Sequence, residues 1–166
     1  MPDRGAVEVD ELDLALIEAL RRNARASLRE IARQIGRSPS VVLSRLRRLE
    51  SEGVIRGYTA LIDYKKIGYD VCALTLLQVD GAHIAEVERA LASEPNVRIV
   101  FDVTGEYDVA AISVFKSVSE LDSFIKRTLG NPHVRRSVTN LVLRVVKDEP
   151  HVSRPLVERE RSGRGA

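Results

Sequence analysis

The sequence predicts an α+β fold in two parts, a helical N-terminal part followed by a part in which strands and helices alternate. Apolar residues recur at helical spacing up to about residue 50, and two of the helices are separated by only two residues. From residue 71 onward the apolar runs follow the order strand, helix, strand, strand, helix, strand. With 166 residues and 44% hydrophobic content, the chain can bury a core in one ordinary domain or in two small ones.

The first predicted helix lies in the stretch VDELDLALIEALRRN. Asp10 is a good N-cap, and Asp13 falls at the third helical position. Val9 and Leu14 have the spacing of a hydrophobic staple. An inward apolar stripe follows at Leu16, Ile17 and Leu20.

Two further helices follow after short turns. Ser27 and Glu30 have the spacing of a capping box, and Gly36 suits the left-handed end of the short second helix. Ser38 caps the third helix, in which Pro39 occupies the first position, where a missing N–H costs nothing. Three helices joined by such tight turns indicate a helix-turn-helix.

After Gly53 the stretch VIRGYTALI carries β-branched residues around Gly57 and predicts a short two-stranded wing. The winged helix-turn-helix is therefore expected to span residues 1–62, and residues 63–70 are expected to form a linker. The charged tail at 149–166 is rich in Gly, Pro and Arg and is predicted to be disordered.

The second part predicts a βαββαβ unit, the split arrangement of a ferredoxin-like sandwich with an antiparallel sheet and two helices on one face. This domain is expected to span residues 71–148. Its last helix carries Ser119 and Asp122 at capping-box spacing. The predicted strands are 71–79, 96–104, 107–115 and 134–147, and the predicted helices are 82–94 and 118–130.

The third helix has two faces. Val42, Leu46 and Leu49 fall at i, i+4 and i+7 and predict a buried side. The other side offers hydroxyls, a small apolar contact and forked cations, which suit the base edges and phosphates of double-stranded DNA. The candidate DNA-binding residues are Ser38, Ser40, Val41, Ser44, Arg45, Arg47 and Arg48.

The alternative is a solvated face whose arginines pair with acids, as Arg48 and Glu52 can at i, i+4. Residues 38–48 contain no acid, and residues 21–48 carry nine arginines against Glu30 alone. By contrast, residues 64–150 hold eleven basic and twelve acidic side chains. The positive charge is therefore local, and the DNA-binding prediction requires that Arg45 and Arg48 face outward, uncovered by carboxylates.

Several classes of protein are not expected from this composition. No run of about 18 apolar residues could span a membrane, and MPDRGAVEVD offers no apolar stretch for a signal peptide, so a cytoplasmic protein is predicted. The single cysteine, Cys72, lies in an apolar run, which favours a buried structural thiol. Neither a disulfide framework nor a metal or other cofactor is predicted.

Three stretches together resemble the Lrp/AsnC (feast/famine) transcription regulators: DELDLALIEALRRNARASLREIARQIGRSPS, SRLRRLESEGVIRGYTALID and VTGEYDVAAISV. The resemblance extends from about Asp10 to Lys147. It implies that the second part is a RAM-type ligand-sensing domain. It also implies a homodimer built through the sheets of these domains, further assembly into tetramers or octamers, and an amino acid or related metabolite as effector. Dimerisation would pair two DNA-reading helices, so a roughly palindromic target is expected.

The loop TGEYD matches the part of the family pattern that lines the effector pocket. The resemblance assigns Thr104, Gly105, Tyr107 and Asp108 to this pocket, while Glu106 is expected only to tune it. A turn exposes backbone N–H groups to a carboxylate, and Asp108 can pair with an α-ammonium group. The other interpretation is a simple hairpin turn. By the same resemblance, Arg136, Ser137 and Thr139 at the start of the last strand complete the pocket.

Two other functions stay open at this point. An architectural DNA-compacting protein would keep the basic helix and the oligomer but would need no effector. Enzymes that decarboxylate sirohaem-type tetrapyrroles share the two-part architecture, and they would need a histidine beside the substrate. None of His83, His133 and His151 is spaced with a second acid or base for such chemistry, so no enzyme is predicted.

Overall fold

The computed structural model describes residues 7–148, which fall into two compact units. The described residues of the first unit run to Ala60, and the second unit spans Leu61–Lys147. The tail at 149–166, predicted to be disordered, lies outside the described residues. Of the helices in the described part of the chain, none is long and apolar enough to cross a membrane.

The first unit contains three helices: α1 at Glu11–Arg22, α2 at Leu28–Ile35 and α3 at Pro39–Ser51. Its core is formed by the fully or almost fully buried side chains of all three helices, namely Leu16, Ala19, Ile31, Ala32, Val42 and Leu49. Because each helix supplies one apolar stripe to the same small core, the unit is held together by tertiary packing rather than by helix length. The predicted helix-turn-helix is confirmed.

The ends of these helices follow the predicted local chemistry. Asp10 caps α1, and Ser27 caps α2 in a reciprocal capping box with Glu30. Gly36 ends α2 at φ 65°, in the left-handed region where a side chain would be strained. Ser38 caps α3, with Pro39 in its first position. These confirmed predictions all rest on residues within a few positions of the helix end.

The predicted two-stranded wing is not formed, since residues 54–63 contain no strand. Val54 and Ile55 pack instead against the helical core, and the Ile55 N–H donates to the Leu49 carbonyl at the end of α3. Tyr58 lies outside this core and donates its hydroxyl to Glu50. A two-stranded hairpin is only marginally stable by itself, and here its first apolar residues are already used by the core.

The second unit is a four-stranded antiparallel sheet in the order β2-β3-β1-β4. Its elements are β1 at Val71–Val79, α4 at Ile84–Ser93, β2 at Val97–Asp102, β3 at Val109–Phe115, α5 at Val118–Leu129 and β4 at Val134–Leu141. Both helices cover the same face, where Leu77 of β1 packs with Val87, Leu91, Leu121 and Phe124. The predicted βαββαβ order and mixed α+β class are confirmed.

The predicted last strand, 134–147, was too long. β4 lies at the edge of the sheet and pairs only with β1, whose Ala73 is the partner of Leu141. The N–H of Val142 still reaches the Cys72 carbonyl, but β1 begins at Val71, which would stand opposite residue 143, so β1 offers no partner for residues 144–147. Cys72, predicted to be buried, is half-buried.

The start of α5 also differs from the prediction. The N-cap is Ser117, which accepts a hydrogen bond from the N–H of Glu120, while Ser119 lies inside the helix. The Glu120 carboxylate accepts from the N–H of Lys116 in return. The segment therefore contains two overlapping pairs with capping-box spacing, and the helix begins at the earlier one.

Residues 63–70, predicted to be a linker, belong to the second unit and contain a 3-10 turn at Lys65–Ile67. The rings of Tyr64 and Tyr69 meet edge to face with their centroids 5.8 Å apart. The guanidinium carbon of Arg98 lies 4.8 Å from the centre of the Tyr64 ring, and the Lys116 amine lies 5.6 Å from that of Tyr69. These cation–π contacts attach the segment to the body of the unit.

Candidate functional site

The side of α3 that points away from the core is polar and open. Ser40, Ser44 and Arg47 lie at i, i+4 and i+7 and are all exposed. Because a helix repeats every 3.6 residues, these three form one stripe opposite the buried stripe of Val42 and Leu49. In the part of the chain that the structure describes, Arg47 forms no ion pair. Hydroxyls flanked by a guanidinium are therefore presented outward from the second helix of a helix-turn-helix.

The other two arginines of α3 are neutralised, and the prediction of an acid-free guanidinium face is wrong. Arg45 lies 2.5 Å from a carboxylate oxygen of Asp10 and 3.3 Å from one of Asp13. Arg48 binds Asp13 and also lies 3.4 Å from Glu52. The two arginine side chains are 35% and 34% exposed, so they lie along the edge of the helix interface rather than projecting from it.

Asp13 is the centre of this network. Its side chain is fully buried, and it accepts hydrogen bonds from Arg45, from Arg48 and from the backbone N–H of Asp10. A buried carboxylate is tolerated only when it is paired and its oxygens are hydrogen-bonded, and both conditions hold here. The network therefore fixes α3 against the start of α1, which positions the exposed stripe of α3.

The same contacts shift the pKa values of Asp10 and Arg45, which lie at the edge of the network. A hydrogen bond from the backbone N–H of Asp13, followed by the Arg45 guanidinium, lowers the pKa of Asp10 below its ordinary value of 3.8. The Asp10 carboxylate in turn raises the pKa of Arg45. Both shifts favour the charged forms, so the pair is ionised at neutral pH.

The remaining predicted DNA-binding residues, Ser38 and Val41, differ in their contacts at the start of α3. Ser38 is exposed, but its hydroxyl accepts from the Val41 N–H at 3.4 Å and lies 3.0 Å from the Ser40 hydroxyl. Val41 is 39% exposed beside this cap. Ser38 thus serves first as the N-cap, while Val41 offers an open apolar contact at the start of the helix.

Further basic side chains surround the helix-turn-helix. Arg25, Arg29, Arg33 and Arg37 lie before α2, within it and in the turn before α3, and all four are exposed. None of them has an ion pair among the described residues, although Arg33 helps to lower the pKa of Glu30 after the capping hydrogen bonds of Ser27. Open cations of this kind can contact phosphates without regard to sequence.

The predicted effector loop joins β2 to β3, at the end of the sheet where β1 ends and β4 begins. Thr104 and Gly105 are exposed, and Gly105 has φ 122°, a conformation that favours glycine. Tyr107 is half-buried, and the Arg136 guanidinium carbon lies 5.9 Å from the centre of its ring. Arg136 also forms an ion pair with Glu106 at 3.0 Å. The structure thus brings the loop and Arg136 together, and it gives Glu106 a partner that the sequence did not indicate.

Asp108 is tied into the sheet. Its carboxylate accepts a 2.7 Å hydrogen bond from the Val79 N–H, where β1 is bulged, and its own N–H donates to the Leu77 carbonyl. The N–H of Val103 donates to the Asp108 carbonyl at 2.9 Å. Asp108 therefore fastens both ends of the loop to β1, a structural role in addition to the predicted one.

Ser137 and Thr139 lie on the other face of the sheet from Arg136. Their strand partners are Leu77 and Thr75, which are buried on the helix-covered side, and the two threonine hydroxyls lie 3.2 Å apart. Arg136 is paired with Gln78 and therefore points to the opposite side. Within one copy of the chain, these two residues and Arg136 do not line one surface.

A small cleft lies between α4 and α5 of the second unit. Its lining includes Val87, Leu91, Thr128 and Asn131, together with Glu94 and Arg127, which form an ion pair. None of the predicted effector residues lines it. The cleft and the loop are therefore separate features.

Two family models match the chain, one on each side of the boundary between the two units. A family model described as winged helix-turn-helix DNA-binding matches residues 9–56, and a model described as Lrp/AsnC ligand binding domain matches residues 72–152. A curated HTH-type transcriptional regulator of Pyrococcus abyssi is 38% identical over 141 residues, covering 85% of this chain and 96% of the relative.

Solved structures of similar proteins align with most of the chain. LrpC of Bacillus subtilis aligns with a TM-score of 0.77 and 29% identity, covering 85% of this chain and 99% of LrpC. A transcriptional regulator of Neisseria meningitidis, solved as a complex with L-Met, aligns with a TM-score of 0.79 and 26% identity, covering 87% of this chain and 96% of that one.

Proposed function

Because the chain belongs to the Lrp/AsnC family of transcriptional regulators, with a DNA-binding and a ligand-binding domain, we propose that it reads specific DNA sequences through α3 under the control of an amino-acid effector. The family consists of transcriptional regulators rather than enzymes, so the tetrapyrrole decarboxylase is set aside. The observation that carries the DNA-reading proposal is the exposed stripe of Ser40, Ser44 and Arg47.

The chemistry of this stripe supports base contact. Arginine bonds to guanine or phosphate, serine hydroxyls contact several bases, and the exposed Val41 can meet a thymine methyl group. The arginines before and within α2 lie outside the network of Asp13 and supply phosphate contacts, which give affinity without sequence preference. Arg45 and Arg48 position α3 in this proposal and do not read bases, because carboxylates already occupy their guanidinium groups.

Replacing Arg47 with alanine should weaken binding to the cognate DNA by about tenfold or more and lower the salt dependence of binding, because the guanidinium of the exposed stripe is lost. The target is first selected from random duplexes, and fluorescence anisotropy then gives the affinity at several salt concentrations. Arg89→Ala is the matched control, since Arg89 is exposed on α4 of the other unit. Equal affinities for the two variants would remove Arg47 from the interface and contradict the proposed role of its guanidinium.

The effector proposal rests on the second unit. The loop of residues 103–108 presents exposed backbone at Gly105, and one carboxylate oxygen of Asp108, Oδ1, has no hydrogen bond to a described residue. An amino acid carries both a carboxylate for the loop N–H groups and an ammonium for that oxygen. The L-Met complex of the similar Neisseria regulator supports this class of ligand for the present chain.

A homodimer would cover the open face of the sheet in the second unit. The uncovered face of the sheet carries Leu74, Leu76 and Ile112, with Ile99 and Phe101 38% and 48% exposed beside them. An apolar face of this kind is costly in water and suits a second copy of the same chain. Two copies would present two α3 helices to a roughly palindromic site, and the effector would act by changing further assembly into tetramers or octamers.

One or a few of the twenty amino acids should raise the melting temperature of the full chain, because a ligand that binds only the folded state stabilises it. A thermal-shift screen at millimolar ligand identifies the effector, and mass measurement with and without it reports the assembly state. If no amino acid shifts the melting temperature or the DNA affinity, the chain fits the architectural DNA-binding alternative, and the effector proposal fails while DNA reading stands.

A further inference from the structure

Two histidines that are fifty positions apart meet at one end of the second unit. His83 lies just before α4 and His133 just before β4, and Glu86 lies three residues after His83 on the first turn of α4. Nitrogen and oxygen ligand atoms of these three side chains all lie within 4.8 Å of one another. The glutamate oxygen lies 3.2 Å from Nδ1 of His83.

The backbone fixes the two histidines relative to each other. The Asp80 N–H donates to the His133 carbonyl at 2.9 Å, and the His83 N–H donates to the Asp80 carbonyl at 2.7 Å. Residue 133 is also anchored by its N–H, which donates to the side chain of Asn131. Asp80 thus connects the two loops through main-chain bonds, so the cluster is a consequence of the fold and not of two long side chains meeting by chance.

We propose that His83, Glu86 and His133 form a binding site for a divalent transition-metal ion of the zinc type. Imidazole nitrogens with one carboxylate suit zinc, nickel and copper, whereas magnesium and calcium prefer oxygen ligands alone. Asp80, whose backbone connects the two loops, has its carboxylate paired with Arg135 at 3.1 Å. The remaining coordination position is therefore open to water, to an exogenous ligand or to another copy of the chain.

The distances require a small rearrangement. Two nitrogens bound to one tetrahedral zinc ion lie about 3.3 Å apart, given zinc–nitrogen bonds of about 2.0 Å. The imidazoles here are stacked face to face, with centroids 3.5 Å apart and planes 8° from parallel. Because a metal lies in the plane of each imidazole that binds it, one ring must rotate out of the stack. Both histidines are only half-buried, so neither ring is enclosed by the core.

The test is a calorimetric titration of the full chain with zinc chloride after removal of metals by chelation. We expect one zinc ion per chain and no binding of magnesium chloride. His83→Gln and His133→Ala should each weaken zinc binding by at least about tenfold. That is the low end of the typical loss when a hydrogen-bond partner of a metal ligand is removed, and these two residues would be ligands themselves. His151→Ala is the matched control, since it removes the third histidine from outside the cluster.

A second readout follows from the stack. Zinc should shift the ring-proton NMR signals of His83 and His133, because each ring now lies in the shielding region of the other. Zinc affinity that is unchanged in both cluster variants, or that is lost only in His151→Ala, would overturn the proposal. Unmoved ring signals at saturating zinc would do the same. None of these measurements involves DNA or an amino acid, so the result is independent of the proposed function.

Discussion

Replacing Asp13 with alanine should lower the free energy of unfolding of the first unit by about 3 kcal/mol, the lower end of the range for removing one partner from a buried ion pair. Asp13 is fully buried between two arginines and also caps the backbone of α1. Without it, Arg45 and Arg48 keep their outer partners, Asp10 and Glu52, and both are one-third exposed. Because the two arginines would stay partly solvated and partly paired, we expect a loss of stability at the lower end of the range.

Hydrogen exchange followed by mass spectrometry measures this effect, because it reports the opening of each unit separately. Amides of α1 and α3 should exchange faster in Asp13→Ala, while those of the sheet should not change. Glu11→Ala is the matched control, since Glu11 is an exposed acid in the same first turn of α1. Equal protection of α3 in the two variants would show that the buried network does not hold α3 in place.

The network also predicts loss of stability in acid. The pKa of Asp10 in the folded state lies below its ordinary value of 3.8, first because of the hydrogen bond from the Asp13 N–H and then because of Arg45. A carboxylate with a lowered folded-state pKa stabilises the protein above the unfolded value, and this contribution is lost as the pH falls through the folded value. The acid-induced unfolding of α1 should therefore be less steep in Asp10→Asn.

These contacts change the role of the arginine-rich helix. The sequence shows that residues 38–48 lack acids, but the compensating acids come from α1, and Arg48 lies 35 positions after Asp13. In the sequence, Asp10 and Asp13 have the pattern of a helix cap, which is a local role that they also perform in the structure. A residue can satisfy a local rule and a tertiary one at once, and only the first is visible in the sequence.

The same difference between local and tertiary interactions explains which of the other predictions were correct. The caps of α1, α2 and α3 were predicted correctly because each depends on residues within one turn. The length of β4 was not, because it depends on where its partner β1 begins. The cluster of His83 and His133 was missed for the same reason, since their loops are brought together by the pairing of Val79 with Val134 and by the bonds of the Asp80 backbone. Arg47 gains importance because Arg45 and Arg48, the other two arginines predicted to bind DNA, are paired with carboxylates.

Replacing Asp108 with alanine should cost about 2 kcal/mol of stability in the second unit, the usual cost of a buried donor left without its acceptor. The donor is the N–H of Val79, a residue that is only 3% exposed and lies at the bulge of β1. Urea denaturation, with hydrogen exchange at β1 as the local readout, measures the loss. Unchanged protection of β1 would contradict the structural role of Asp108.

The asparagine variant separates that structural role from the proposed effector role. In Asp108→Asn the side-chain oxygen still accepts from Val79, so stability should stay near that of the natural chain, while the negative charge that would bind an ammonium group is gone. If the charge binds the effector, this variant keeps its fold and its DNA affinity but loses at least about tenfold in effector affinity, since a charged hydrogen-bond partner contributes about 1.5 to 3 kcal/mol. Full-strength effector binding by a stable Asp108→Asn protein would leave Asp108 with its sheet contact alone and would move the ammonium site to other residues of the loop.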